Sequence, residues 1–194
     1  MKGQHDMRNI ISLAHISIDG FMAGPGGDMS FLSMNDEMAD HIYPLIATVD
    51  TSVYGRVTYQ MMEGYWPSVV GSPTATEHEK HHAHWYTNVR KIVASRTITS
   101  KDPTVRVIGD DIVGAVRAEK ETTGGDIMIF ASPSLTHTLA AAGLVDQYML
   151  TFQPVIVGAG LRLFEHVETR SKLELRASKT FRNGVIAAHY VMKR

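Results

Sequence analysis

The most constraining stretch of this sequence is residues 126–152, where an apolar run, a helix with both ends marked and a second apolar run follow in close succession. Residues 126–131 (DIMIFA) read as a compact strand. Ser132 then stands at an N-cap position, Pro133 at the first helical position, and three consecutive alanines at 140–142 lead to Gly143 at C′. Residues 147–152 read as the next strand, with 154–157 as its continuation or a bulge. Strands this apolar are buried on both faces, which places helices on both sides of a mainly parallel sheet.

The rest of the chain repeats the alternation. Residues 9–18 (NIISLAHISI) form a first strand, Asp19-Gly20 turns the chain, and residues 24–28 (GPGGD) make a loop too rich in glycine for regular structure. Asn35 or Asp36 caps a helix running to about Thr48, which Pro44 is expected to kink or divide. A short strand at 51–54 ends at Gly55, and a helix follows from Thr58 to about Glu63. Residues 64–88 are the least regular part, read as a loop and a short histidine-rich helix. Strands are expected at 91–94 and 105–108, with a helix from Asp110 or Asp111 to about Glu121. Arg182-Asn183-Gly184 between two β-type runs is a strong hairpin signal. The pattern predicts one α/β domain over residues 8–194 with an antiparallel edge, preceded by a loose extension at 1–7.

Composition removes several classes of chemistry. None of the 194 residues is cysteine, which excludes a disulfide scaffold, a thiolate nucleophile, a Cys-ligated zinc and an iron–sulfur cluster, and fits a reducing, cytoplasmic setting. With 19 basic and 20 acidic residues the net charge is −1, so composition argues for neither nucleic acid nor an anionic membrane as a partner. No apolar run is long enough to span a bilayer, and residues 1–6 do not form a signal peptide.

Candidate sites cluster where strands end. The dinucleotide fingerprint G-x-G-x-x-G is absent between the first strand and helix. The helix start at Gly55, Arg56, Val57 and Thr58 combines free N–H groups, a hydroxyl and a guanidinium that suit a phosphate. Ser132 with Pro133 and Ser134 offers a second such start, and Ser95-Arg96-Thr97 a third cationic position; open α/β sheets bind ligands beyond these strand ends. The loop Gly158-Ala159-Gly160 is either a ligand contact or a tight turn. Asp19 and Asp36 lie beside the same crevice and suit binding and protonation of a nitrogen heterocycle, though Asp36 equally suits a cap. Phe31, Tyr65 and Trp66 either line a pocket that stacks on a ring or pack the long loop. His78, Glu79 and His82 satisfy H-E-x-x-H, but their polar neighbours favour a solvated helix over a zinc site; His15 and His189 read as hydrogen-bonded core residues.

Taken together, these segments resemble a known family. Residues 17–28 (S-x-D-G-F-x-A-G-P-x-G-D) look like the opening of the dihydrofolate-reductase-like superfamily, and more closely like the C-terminal reductase domain of the bifunctional riboflavin-biosynthesis deaminase–reductase. Residues 54–59 (YGRVTY) are similar to that family's G-R-x-T-[YW], residues 92–97 (IVASRT) to its V-x-S-R-T, and residues 143–146 and 154–164 to its G-L-V-D-E and P-V-x-x-G-x-G-x-x-L-F blocks. The resemblance implies a three-layer fold, a homodimer and an NADPH-dependent reductase acting on a pteridine- or aminopyrimidine-like small molecule, of the phosphoribosylaminouracil reductase type. It implies that Gly55, Arg56 and Thr58 meet the pyrophosphate, that Ser95 and Arg96 lie near the 2′-phosphate, and that Ser132, Gly158 and Gly160 complete the cofactor contact. Asp19, Phe31, Asp36, Tyr65 and Trp66 would then face the substrate. One departure stands out: Ala131-Ser132 occupies the place where the family commonly has Gly-Gly. That change motivates the alternative of a non-catalytic flavin- or folate-binding protein on the same fold.

Overall fold

The computed structural model describes residues 7–165, 167 and 170–193, so residues 1–6 of the expected extension lie outside the described residues. The chain begins with β1 (Ile10–Ser17), the short β2 (Phe21–Ala23) and α1 (Asp36–Ile46). Next come β3 (Val49–Gly55), α2 (Arg56–Val69), α3 (Glu77–Asn88), β4 (Arg90–Ala94), β5 (Val105–Ile108) and α4 (Ile112–Lys120). The remaining elements are β6 (Asp126–Phe130), α5 (Pro133–Ala141), β7 (Gln147–Gln153), β8 (Leu161–Arg162), β9 (Leu173–Thr180) and β10 (Ile186–Met192).

Eight strands form one sheet in the order β5-β4-β3-β6-β1-β7-β10-β9, and β2 pairs with β8 beside it. Every pairing from β5 across to β7 is parallel, whereas β10 runs antiparallel to both β7 and β9. The expected mixed sheet with a terminal hairpin is therefore the observed one. Strand alternation divides the core into two layers. Ile11, Leu13, Met128 and Phe130 face α1–α3 through Met38, Ile42, Tyr59 and Tyr86. Ile10, Ala14, Ile127 and Ile129 face α4 and α5 through Val116, Leu135 and Leu139.

Charge is buried at the amino-terminal ends of the parallel strands. Arg8 is 4% exposed; it pairs with Asp50 and, at 2.7 Å, with Glu119, and its Nε donates to the Gly125 carbonyl at 2.6 Å. Arg90 reaches the same Glu119 at 2.9 Å. Lys120 pairs with Asp146, whose carboxylate also accepts the Ile10 N–H at 2.9 Å. Gly125 has a packing reason: a Cβ there would lie 2.3 Å from the Thr48 carbonyl oxygen.

Several local expectations are corrected. Pro44 does not divide α1, which runs unbroken from Asp36 to Ile46 with the proline inside it. Helix α2 begins two residues earlier than expected and runs to Val69 rather than stopping near Glu63. The supposedly irregular 64–88 segment holds the end of α2 and twelve-residue α3, fixed by a capping box in which Thr76 Oγ1 accepts from Glu79 N–H and the Glu79 carboxylate accepts from Thr76 N–H. This helix escapes a periodicity reading because its buried face is His82, Ala83 and Tyr86 rather than aliphatic. Residues 154–157 do not continue β7.

Candidate functional site

Helices α1, α3 and α4 are each closed by a side-chain cap, from Asn35, Thr76 and Asp111. Helices α2 and α5 have no side-chain cap and no acid in the first turn. These two follow β3 and β6, which are neighbours in the sheet, so both uncapped starts stand at one place on its carboxyl-terminal edge. Helix N-termini without side-chain caps carry free N–H groups and a positive dipole end, an arrangement that suits an anion.

Ser132 links the two starts. Its Oγ accepts the Gly55 N–H at 3.0 Å and donates to Thr58 Oγ1 at 3.0 Å, so it does not cap its own helix as its sequence position suggests. The residues standing in for Gly-Gly are both left-handed, Ala131 at φ +50° and Ser132 at φ +48°. Two consecutive side-chain-bearing residues in that region are strained, and retaining the conformation preserves the backbone path glycines would give. On the far side of β3, the Ser95 hydroxyl accepts from Thr97 and Ile98 N–H groups at 3.1 Å, and Arg96 donates to Asp110 at 3.1 Å and to the Gly109 carbonyl at 3.3 Å. Arg56 is exposed and donates to Gln60 at 3.2 Å.

Next to this edge lies a cavity of about 290 Å³. Leu13, Ala14 and His15 of β1 and Phe130 and Ala131 at the end of β6 line one side, with α1 and α2 opposite. Met22, Met29, Met34, Met61 and Met62 contribute flexible thioethers, which adapt to irregular ligand shapes. The covering loop is tied down by Ser33 N–H donating to Gln153 at 2.9 Å and by Asn183 donating to the Ser33 carbonyl at 3.1 Å. The hairpin turn thus helps close the cavity.

Among the described residues, no Asp, Glu, Lys or Arg lines it. His15 hydrogen-bonds through Nδ1 to Thr151 Oγ1 at 2.5 Å, and burial pushes its pKa down to about 4. His82, 7% exposed, packs on Trp66 with ring centroids 4.1 Å apart, and burial likewise pushes it to about 4. Both imidazoles are neutral at pH 7. The reading of His82 as part of a solvated helix is therefore corrected. Among the described residues no group of three or more potential ligands is placed to hold a metal ion, and Glu79 serves the capping box and Tyr65.

The structure separates the remaining expected site residues. Trp66 and Thr58 line the cavity; Phe31, Tyr65, Asp19 and Asp36 do not. The Asp19 carboxylate takes the Ser17 hydroxyl at 2.6 Å and the Val157 and Gly158 N–H groups at 3.1 and 2.7 Å. These bonds hold its pKa near 2, so at neutral pH it is an acceptor rather than a proton source. Asp36 has an 84% exposed side chain, 3.7 Å from His78. Gly158 (φ +81°) gives its N–H to Asp19, and a Cβ on Gly160 (φ +133°) would lie 2.1 Å from the Ala23 carbonyl oxygen. Both glycines thus carry conformational or packing duties. Sequence reasoning reaches His82 only through the H-E-x-x-H pattern and His15 only as a core residue, and misses Tyr43 and the five methionines; the signal for these is helical spacing of Ala39, Ile42, Tyr43 and Ile46, and of Met62 with Trp66.

The family model of the RibD C-terminal domain covers residues 8–187. The chain belongs to that family. This RibD C-terminal domain is 31% identical over 188 residues to the uncharacterized protein YyaP of Bacillus subtilis (strain 168), spanning 94% of each chain. Its fold is similar to that of a putative riboflavin biosynthesis protein from Shewanella sp. PV-4, with TM-score 0.71, 19% identity, and 96% and 99% of the two chains covered. It is also similar to dihydrofolate reductase from Enterococcus faecalis complexed with NADP(H), with TM-score 0.61, 13% identity, and 96% and 97% covered. At these identities the structural likeness concerns the fold alone, and it agrees with a dihydrofolate-reductase-like architecture.

Proposed function

We propose that this chain is an NADPH-dependent reductase that transfers a hydride to a small pteridine- or aminopyrimidine-like ring. The observation that carries the reading is the adjacency of two uncapped helix starts and a partly open apolar cavity at the carboxyl ends of β3 and β6. The residues present fit the cofactor. The first N–H groups of α2 and α5 would hold the pyrophosphate, with Arg56 beside them, and Arg96 would meet the 2′-phosphate. When bound, NADPH supplies the hydride, chemistry that belongs to the cofactor. The chain contributes placement: the left-handed turn at Ala131 and Ser132 shapes the backbone between the two sites, and Thr58 and Ala131 border the cavity. Its apolar walls exclude water, and α1 and the covering loop hold the acceptor ring against β1.

The test is a calorimetric titration with NADPH beside NADH, on wild type and Arg96→Ala. The expected result is micromolar, saturable binding with NADPH preferred, and at least a tenfold loss for NADPH in the variant with little change for NADH. Absence of binding to folded protein would overturn the reductase reading, and equal losses for both cofactors would overturn the role of Arg96.

A further inference from the structure

We propose that the cavity binds an uncharged, flat ring compound with no anionic tail inside it, and that His82 provides the hydrogen bond that selects it. The inference rests on the reductase reading and narrows its acceptor.

The first support is the absence of charge. None of the lining residues carries a formal charge once both imidazoles are neutral. A carboxylate or phosphate placed there would lose its hydration with no cation to replace it. Arg56 and Arg96 are exposed and stand outside the lining, so anionic groups have their partners at the helix starts and not in the cavity.

The second support is one unused polar group. Tyr43 donates its hydroxyl to the His78 carbonyl. Thr58 accepts from Ser132, His15 is engaged with Thr151, and the Trp66 indole N–H meets the Met62 sulfur at 3.2 Å. His15 and Thr58 each use only part of their hydrogen-bonding capacity, and His82 differs in that its buried Nε2 has no partner at all. A buried polar atom left unpaired is destabilising, a cost removed when the imidazole turns this nitrogen toward a ligand that supplies the partner. The ring is set among Trp66, Trp85 and Phe130, with centroids 4.1, 5.3 and 6.3 Å away, so a flat aromatic ligand would extend an existing cluster.

The experiment uses three probes of nearly one shape: 2-naphthol, naphthalene and 2-naphthoate. Each is titrated calorimetrically at pH 7.5 into wild type, His82→Phe and His82→Gln, with an NADPH titration of each protein in parallel. Wild type is expected to bind 2-naphthol at least tenfold more tightly than 2-naphthoate and several-fold more tightly than naphthalene. His82→Phe keeps a ring of similar size and should abolish the naphthol-over-naphthalene preference, whereas His82→Gln should keep part of it. Equal binding of naphthoate and naphthol would overturn the uncharged-ligand inference. A preference that survives in His82→Phe, or is lost equally in His82→Gln, would overturn the role of His82. Naphthol binding without NADPH binding would instead defeat the reductase reading and leave the cavity's preference standing.

Discussion

The two ends of the parallel sheet are built on opposite principles. At the amino-terminal ends of the strands, charge is buried and matched: Arg8 and Arg90 share Asp50 and Glu119, and Lys120 meets Asp146. At the carboxyl-terminal ends, charge stays outside the cavity, two helix starts lack caps, two residues hold left-handed backbone and His82 Nε2 has no partner. One end satisfies its own polar groups, while the other leaves two helix starts without a side-chain cap and one imidazole nitrogen without a partner. The general lesson is that unsatisfied features in one region gain meaning when the same fold shows elsewhere that it can satisfy them.

The contrast can be broken first at the satisfied end. Arg8→Met removes the buried partner of Asp50 and Glu119, leaving them only the half-exposed Arg90, and is expected to lower stability by roughly 1–3 kcal/mol in urea denaturation, with NADPH affinity of the folded protein within twofold of wild type. A loss below about 1 kcal/mol would show that the matched charges are not what holds this end.

A second probe is pH. Burial holds His15 and His82 at about 4, against 6.5 for the free side chain, so the unfolded chain takes up protons first as pH falls. Their contribution is fully present above about pH 6.5 and is lost between there and pH 4, at up to roughly 1.4 kcal/mol per pH unit for each. Denaturation curves at pH 7.5, 6 and 5 should show the decline, and His82→Phe should flatten it. An unchanged slope in that variant would mean the ring is already solvated.

Smaller effects belong to the turn and the loop. Ala131→Gly relieves a positive φ and, after the greater freedom of unfolded glycine is counted, should raise stability by about 0.5–1 kcal/mol; destabilisation would show the angle carries no strain. Asp19→Asn should leave naphthol binding unchanged and speed amide exchange at Val157 and Gly158 several-fold, since only the tether is weakened. Altered cavity affinity would bring Asp19 back into the site.

Much of this was legible from local signals. The strands at 91–94 and 105–108, the Asp111 cap, the Pro133 start of α5 and the terminal hairpin are set by neighbours in sequence, and they recur in the fold within a residue or two. Helix α3 was not legible as a buried element, because its apolar face consists of a histidine, an alanine and a tyrosine that only packing identifies as buried. The site divides in the same way. Helix starts at strand ends are visible as Gly55-Arg56-Val57-Thr58 and Ser132-Pro133-Ser134, since a glycine that ends a strand and a proline at the first helical position are local signals. A cavity is assembled from β1, β6, α1, α2, α3 and the loop over them, and sequence spacing does not say which side chains converge.

By itself, then, the sequence determined the order of elements, the parallel sheet with its antiparallel edge, and the family resemblance carried by short motifs, all of which show as patterns within short segments. Only the tertiary structure decided that Asp19 tethers a loop and that Ser132 bridges two helix starts instead of capping one. It alone brought an unpaired His82 to a cavity without charge, because burial and hydrogen-bond satisfaction are properties of the packed chain rather than of any segment of it.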